Sequence, residues 1–357
     1  MNARLSLLDP EAKRKALVSR TLKWWDGNRR RLAWRAPAGE KPDPYRVWLS
    51  EILLQQTTAR AATPYYEIFL TRWPKVQDLA AASEEAIMSA FAGLGYYARA
   101  RNLHECAKTI AAAGGRFPAD EADLRALPGV GRYTAAAIAA IAFDRQTLPV
   151  DGNVSRILAR LVALERPLAG SRAEIESLAR SLAPPARAGD FAQALMDLGA
   201  TVCRPRDPDC AACPLSRDCA AFHGGDPASY PRPGAVKQRP LRTGAVYFAR
   251  RNDGAFLVRR RPAKGLLGST VELPGTPWLT EAPSDWEEVA PVIARWRKLP
   301  GSVRQEFTHF SLSLTVFAGT FDGAAPVCHS WAHPHEVADL GCSAVMRKAI
   351  DHALHFQ

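Results

Sequence analysis

Two carboxylates in the first half of the chain sit in opposite surroundings. Glu51 is flanked, at one helical turn either way, by Val47, Trp48, Leu54 and Gln55. Burial among such neighbours raises a carboxyl pKa and keeps the proton on, as a general acid requires. Asp151 lies in Pro149-Val150-Asp151-Gly152-Asn153-Val154, just before an amphipathic stripe. There it is placed as an N-cap, held ionised by backbone N–H groups and the helix dipole. A protonated and an ionised carboxylate together supply the acid and the charge stabiliser of glycoside cleavage. Cleavage of a nucleotide's N-glycosidic bond needs the same two parts. Taken alone, the residues leave two plainer readings open: a Glu51 that reaches solvent or pairs with an arginine, and an Asp151 that only caps.

A second constellation is Cys203-x6-Cys210-x2-Cys213-x5-Cys219, four of the chain's seven cysteines within 17 residues. In a reducing compartment such a cluster reads as a metal site, not as a disulfide framework. Four soft ligands suit tetrahedral zinc or an iron–sulfur cube. The spacing lacks the paired C-x2–4-C knuckles of zinc ribbons. Arg204 and Arg206 lie inside the loop and could face phosphates. Cys106, Cys328 and Cys342 read as ordinary small buried apolar residues.

A third is Leu127-Pro128-Gly129-Val130-Gly131-Arg132-Tyr133-Thr134-Ala135, between two helical patterns. Its glycines permit a tight turn. The helix that starts there offers free N–H groups, an anion site at its positive end.

The elements that must position these groups are mostly helical up to about residue 225. Asp43-Pro44 is a helix start, and the nearly all-apolar Tyr45–Ala62 predicts one buried helix. Further helices are expected from about Glu84 to Gly93 and from Tyr97 to Ala113, the latter ended by Gly114-Gly115. Val154, Ile157, Leu158, Leu161 and Val162 form the stripe after Asp151. Gly224 to Gly234 has a linker's composition. Beyond it the period changes to strands: Val246–Phe248 and Ala255–Val258 flank the turn Asn252-Asp253-Gly254, and Phe310–Val316 alternates. Met346–His355 reads as a closing helix.

The composition sets limits. With 357 residues, 47% of them hydrophobic, the chain can bury a sizeable core, and two domains are the leading expectation. The net charge is +11, from 47 Lys+Arg against 36 Asp+Glu, and suggests a polyanionic partner. The longest purely apolar run, Ala135–Phe143, is too short to span a membrane. The residues Met1–Pro10 carry too short an apolar run for a secretory signal. An intracellular chain is expected.

Together these segments resemble the adenine-specific mismatch DNA glycosylases of the MutY type, in the helix–hairpin–helix iron–sulfur superfamily. The resemblance is carried by Leu32–Arg35, Ser50–Thr57, Gly93–Leu103, the hairpin, Val150–Val154, and Phe191–Gly199 leading into the cysteines. It covers most of residues 30–220, in order. The related endonuclease III type has a lysine nucleophile where this chain has Tyr133, which disfavours a Schiff-base lyase route.

The resemblance implies a mostly α catalytic part of two helical modules over residues 1–225, with the hairpin at about 124–143 and the iron–sulfur loop at 203–219. A linker over 226–240 and an α+β Nudix-like domain over 241–357 follow. It implies a monofunctional glycosylase that flips out adenine opposite 8-oxoguanine or guanine. Glu51 would protonate adenine N7, and Asp151 would stabilise the sugar cation or attack it. Asn153 would orient Asp151, and Tyr133 would contact the pair. Arg30, Trp34, Arg35 and Gln193 would line the adenine pocket, while Gln56 and Tyr96 wedge at the damaged base. Gly129, Val130 and Gly131 would hold DNA phosphate. Cys203, Cys210, Cys213 and Cys219 would hold one 4Fe-4S cluster.

Phe307-Thr308-His309 in the second domain would read 8-oxoguanine; Gly265–Gly268 and Glu272–Gly275 also carry that part of the resemblance. The phosphohydrolase Arg-Glu-x-x-Glu-Glu helix is missing, so a reading module is expected. The partner would be double-stranded DNA, with no membrane, the protein a monomer in a bacterial cytoplasm, associated with the nucleoid. Some positions depart from the family pattern: Ala33 for a proline, Ser155 for a lysine that can trap DNA, Thr308 for a serine, and Ser269–Val271 before Glu272.

Overall fold

The structure, a computed structural model, describes residues 11–234, 239–262, 265–281, 286 and 288–356. The N-terminal decapeptide, and positions 235–238 of the expected linker, lie outside these. Two compact units result. The first gathers the described residues up to Ala81 and those from Asn102 as far as the linker. The second gathers Ala82–Arg101 and the described residues beyond the linker. Residues 82–101 thus group with the second unit, although in sequence they fall inside the expected 1–225 domain.

The helices are α1 (Glu11–Asn28), α2 (Pro44–Leu53), α3 (Ala59–Arg72), α4 (Val76–Ala81), α5 (Glu84–Ala90), α6 (Ala98–Ala112), α7 (Glu121–Arg125), α8 (Arg132–Phe143), α9 (Gly152–Leu161), α10 (Arg172–Leu182), α11 (Ala188–Thr201), α12 (Ala220–His223) and α13 (Ala344–His355). Among the described residues none is long and apolar enough to cross a membrane.

In the first unit α8 and α11 are central. Alanines on α8 leave room for α2, α7 and α11 to approach. A core of Leu17, Ile157, Leu158, Leu161, Ile175, Leu178, Phe191, Leu195 and Leu198 joins α1, α9, α10 and α11. At roughly 1.5–3 kcal/mol for each large buried aliphatic or aromatic side chain, this core is what holds the site-bearing helices in place. Gly199 lets α11 touch the start of α9, where an added Cβ would stand 2.5 Å from Asn153 Cβ.

The single helix expected over Tyr45–Ala62 is two. Asp43 caps α2, accepting from Tyr45 N at 2.9 Å, but α2 ends at Leu53. Gln56 takes a left-handed φ of 58°, and Thr58 caps α3, accepting from Ala61 N at 3.3 Å. The apolar pattern runs on through the break because both helices bury a face; the stop signal is the polar run Gln55-Gln56-Thr57-Thr58.

The second unit is built on a seven-stranded mixed sheet: β1 (Leu241–Arg250), β2 (Phe256–Arg260), β3 (Val271–Glu272), β4 (Arg297–Lys298), β5 (Val303–Glu306), β6 (Ser311–Thr320) and β7 (His329–Ala332). The order is β3-β2-β1-β6-β4, with β5 also on β6 and β7 also on β2. β1 and β6 run parallel, from Leu241↔Ser311 to Arg250↔Thr320; the other pairs are antiparallel. The β1–β2 hairpin turns at the expected place, with Gly254 at φ 88°. Leu312, Leu314 and Val316 face a core that α13 closes with Val345, Met346, Ala349 and Ile350. Among the described residues no helix stands between β3 and β4.

Candidate active site

Residues from five stretches of the first unit line one cavity of about 730 Å³: Arg30, Trp34 and Arg35; Glu51 and Gln56; Tyr133; Asp151 and Asn153; and Gln193. All nine sequence-predicted residues of this unit's pocket therefore share one wall. Tyr96, Phe307, Thr308 and His309 belong to the second unit.

Glu51 is 7% exposed, on the buried face of α2. Burial pushes its carboxyl up to about 7; the Tyr133 hydroxyl, which bonds to it, pulls the other way, the Asp151 charge adds to the rise, and Arg35 opposes it. The Tyr133 phenol is itself held well above its ordinary range, by burial first and then by the charges of Glu51 and Asp151. It stays a neutral donor.

Asp151 is the N-cap of α9. One carboxylate oxygen accepts from Val154 N at 2.7 Å and the other from Asn153 Nδ2 at 3.0 Å. Asn153 is held in turn by Arg156, whose Nη2 donates to Asn153 Oδ1 and to Gly199 O, both at 2.8 Å. Arg156 Nε donates to Cys203 O at 2.9 Å. A continuous set of hydrogen bonds therefore joins Asp151 to the backbone of the first cysteine in the cluster.

Gln193 sits buried on α11, its amide donating to Gly189 O at 3.2 Å. Trp34 stands edge-on to Tyr66, ring centres 5.7 Å apart. Arg30 and Arg35 are not loose surface charges: both are bound to Asp197, which is wholly buried. Sequence reasoning passed over Asp197 and Arg156. The available signal was a charged residue on an otherwise apolar helical face, for Asp197 on α11 and for Arg156 within the stripe of α9.

In the hairpin, Gly129 has φ 72°, and an added Cβ would lie 2.6 Å from Asn102 Cβ. Val130 is buried and anchors the turn. Gly131 caps α8 with no side-chain hydrogen bond to the first-turn N–H groups, the kind of helix start that leaves N–H donors free for an anion. Its own φ, −82°, needs no glycine, so only one of the two glycines is required by backbone conformation.

Of the three cysteines outside the loop, Cys106 and Cys342 are buried as expected, but Cys328 is exposed, because it lies at φ 66° in the turn leading into β7. The four loop cysteines are mutual neighbours. Burial pushes the Cys213 thiol up to about 12, with Cys203, Cys219 and Cys210 adding to the rise. Arg160, 1% exposed, lies against them and donates to Cys203 Sγ at 3.3 Å, and to the carbonyls of Arg204, Pro205 and Tyr230. Four soft donors beside a buried cation fit a thiolate-bound cluster. Among the described residues, no three His, Cys, Asp or Glu side chains are grouped closely enough to hold a single metal ion.

In the second unit, the turn between β5 and β6 carries Phe307, Thr308 and His309. Phe307 N donates to Phe310 O at 2.9 Å, and the two rings stack 4.7 Å apart. Thr308 and His309 are exposed at the tip. Tyr96, exposed and at φ 51°, has its hydroxyl 2.6 Å from Thr308 Oγ1. The segment around it is tied down by Tyr97 Oη to Cys342 O at 3.2 Å and by Arg101 Nη1 to Gly268 O at 2.8 Å.

Comparison with known proteins agrees with this arrangement. Residues 49–185 match the family model of the HhH-GPD superfamily base excision DNA repair proteins, and residues 245–352 match the NUDIX domain. The adenine DNA glycosylase of Mus musculus is 34% identical, over 93% of this chain and 77% of its own; that of Homo sapiens is 33% identical, over 92% and 72%. That of Mycolicibacterium smegmatis is 39% identical over 58% of this chain and 70% of its own. Among solved structures, a thermostable thymine-DNA glycosylase superposes with a TM-score of 0.53 at 32% identity, over 60% of this chain and 98% of its own. A non-covalent endonuclease III–DNA complex, 22% identical with a TM-score of 0.50, shares the fold of the same part. By its likeness to these relatives over nearly its whole length, the chain belongs to the adenine DNA glycosylases of base excision repair.

Proposed function

We propose that the protein removes adenine mispaired with 8-oxoguanine or guanine in double-stranded DNA, without cutting the strand. One observation carries this: a buried Glu51 that keeps its proton near neutrality shares a cavity with a helix-capping Asp151. Burial equips Glu51 as the acid, while the Asp151 carboxylate is fixed by Val154 N and Asn153 Nδ2.

The adenine is flipped from the duplex into the cavity. Glu51 gives its proton to adenine N7, so that the C1′–N9 bond breaks with its electron pair leaving on the base. Asp151 stabilises the cation left on the sugar, or attacks C1′ to form a transient link. Water then adds at C1′ and gives up its proton, and Glu51 is protonated again. Tyr133 bonds Glu51 and offers no amine for a Schiff base, which supports base removal alone. Arg30, Trp34, Arg35 and Gln193 hold the adenine.

Gly129, Val130 and Gly131 take a backbone phosphate. Cys203, Cys210, Cys213 and Cys219 hold one 4Fe-4S cluster, which when bound would brace the loop carrying Arg204 and Arg206 against the duplex. Phe307, Thr308 and His309 of the second unit, with Tyr96, read the damaged base, and Gln56 wedges beside it. The enzyme acts as a monomer, in the cytoplasm of a bacterium and on its nucleoid DNA.

The test is single-turnover excision on a labelled duplex with one adenine opposite 8-oxoguanine, adenine·thymine being the control, each sample split with and without alkali. Breaks only after alkali, and only in the mismatch, are expected. Breaks before alkali would overturn the monofunctional assignment, and no breaks in either arm would overturn the activity.

A further inference from the structure

Asp197 has no part in the chemistry above and lies behind the cavity lining, yet it accepts more hydrogen bonds than either carboxylate that lines the cavity, Glu51 or Asp151. It sits on α11, one turn beyond Gln193, at 0% exposure. Five N–H donors converge on it: Trp25 Nε1 and Arg30 N, each at 3.1 Å, Arg30 Nε, Arg35 Nη1, and Arg35 Nη2 at 2.8 Å. Two carboxylate oxygens have about four acceptor sites, so its capacity is filled. All five donors come from α1 and the stretch just after it. Arg35 Nη1 also reaches Arg30 O at 3.2 Å, and Arg29 Nη2 closes the loop on Ala36 O at 2.7 Å. The same loop carries Trp34 into the cavity.

We propose that Asp197 is a positioning residue for adenine excision: it folds the Arg29–Ala36 loop into the cavity wall and cancels one of the two guanidinium charges of the cavity that holds Glu51. This rests on Glu51 being the acid. Among the residues lining the cavity, those that are charged or titrate are Arg30, Arg35, Glu51, Tyr133 and Asp151. Of these, Arg35 favours the ionised form of Glu51. With Asp197 in place the cluster of Arg30, Arg35 and Asp197 carries a net +1; without its charge, +2. A more positive neighbourhood strips the proton from Glu51 at lower pH. The Asp197 charge is itself secure: burial alone would raise its carboxyl pKa, but Arg35 and then Arg30 overcome this and hold it low.

The experiment is single-turnover excision against pH for the full-length protein, for Asp197→Asn and for Asp197→Asn with Arg35→Gln. With enzyme in excess, the rate constant does not depend on the folded fraction. Asp197→Asn should move the high-pH fall in rate down by about one pH unit. Adding Arg35→Gln should return that midpoint but not the plateau rate, since the loop is still unanchored. An Asp197→Asn midpoint equal to wild type overturns the proposal, because a merely structural aspartate would lower the active fraction and leave the midpoint alone.

If Asp197→Asn does not fold, Asp197→Glu decides. It keeps the charge and displaces the guanidinium, so the midpoint should hold and the plateau rate drop about tenfold, or ~1.4 kcal/mol of barrier; an unchanged plateau overturns the proposal. Glu51→Gln is measured alongside. A near-normal rate there sinks the acid assignment, whatever the Asp197 variants do. An inactive Glu51→Gln with a wild-type midpoint in Asp197→Asn sinks the Asp197 role alone.

Discussion

Arg156 holds Asn153 by a 2.8 Å hydrogen bond to its side-chain oxygen, which turns the Asn153 amide nitrogen toward Asp151. An asparagine side chain can rotate by half a turn at little cost in shape; this contact decides which end faces the carboxylate. Arg156→Leu removes that control and leaves the Gly199 and Cys203 carbonyls without their donor. Each unmet buried acceptor costs about 1–3 kcal/mol. A lowered melting temperature and an excision rate reduced at least about tenfold are expected, by thermal denaturation and single-turnover kinetics.

Glu51 ties catalysis to stability. Its carboxyl pKa is raised on folding, so the stability tied to its proton is fully present below the unfolded value near 4.5 and is lost as pH rises through about 7. The loss is on the order of 3 kcal/mol, taking 1.36 kcal/mol per pKa unit. Glu51→Gln should abolish excision, leave duplex binding largely intact, and be more stable than wild type above neutral pH. Denaturant melts of both proteins at two pH values check this; equal pH dependence would show that Glu51 is not the buried acid.

Tyr133 pulls the Glu51 pKa down through its hydrogen bond. In Tyr133→Phe that bond is gone and the carboxyl is better protected from ionising. The fall in excision rate with rising pH should therefore move to higher pH, with no gain of strand cleavage. A profile shifted the other way would mean that the phenol serves Glu51 differently.

Gly129→Ala meets two obstacles, a positive φ and a Cβ 2.6 Å from Asn102. Strain of about 1–3 kcal/mol is expected. On the proposed phosphate role of the hairpin, duplex affinity should fall equally for mismatched and matched DNA, with a shallower salt dependence. Titrations at two salt concentrations distinguish this from a loss of mismatch recognition.

Thr308 and Tyr96 share a 2.6 Å hydrogen bond within the second unit. Thr308→Val keeps the shape and removes the hydroxyl. The preference for 8-oxoguanine over guanine opposite adenine should narrow several-fold, about 1 kcal/mol, while the rate on adenine·guanine changes little. An unchanged ratio would remove this pair from damage reading.

Much was legible in the amino-acid sequence by itself. Hydrophobic periodicity, caps and spacing are local, so α9 and its Asp151 cap, the hairpin before α8, the four-cysteine loop, and the β1–β2 turn at Gly254 follow from short stretches of residues. The change from a helical to a strand period marks the second domain for the same reason. What tertiary structure decided depends on distant partners. The break at Gln56 is hidden because two helices that each bury a face look like one apolar run. The burial that keeps Glu51 protonated comes from other segments, and so does the pairing of Arg30 and Arg35 with Asp197, separated from them by more than 160 positions. The grouping of residues 82–101 with the second unit rests on hydrogen bonds such as Tyr97 to Cys342, across 245 positions. A sequence pattern records which face a residue turns inward; which group it meets there is settled only when the chain packs.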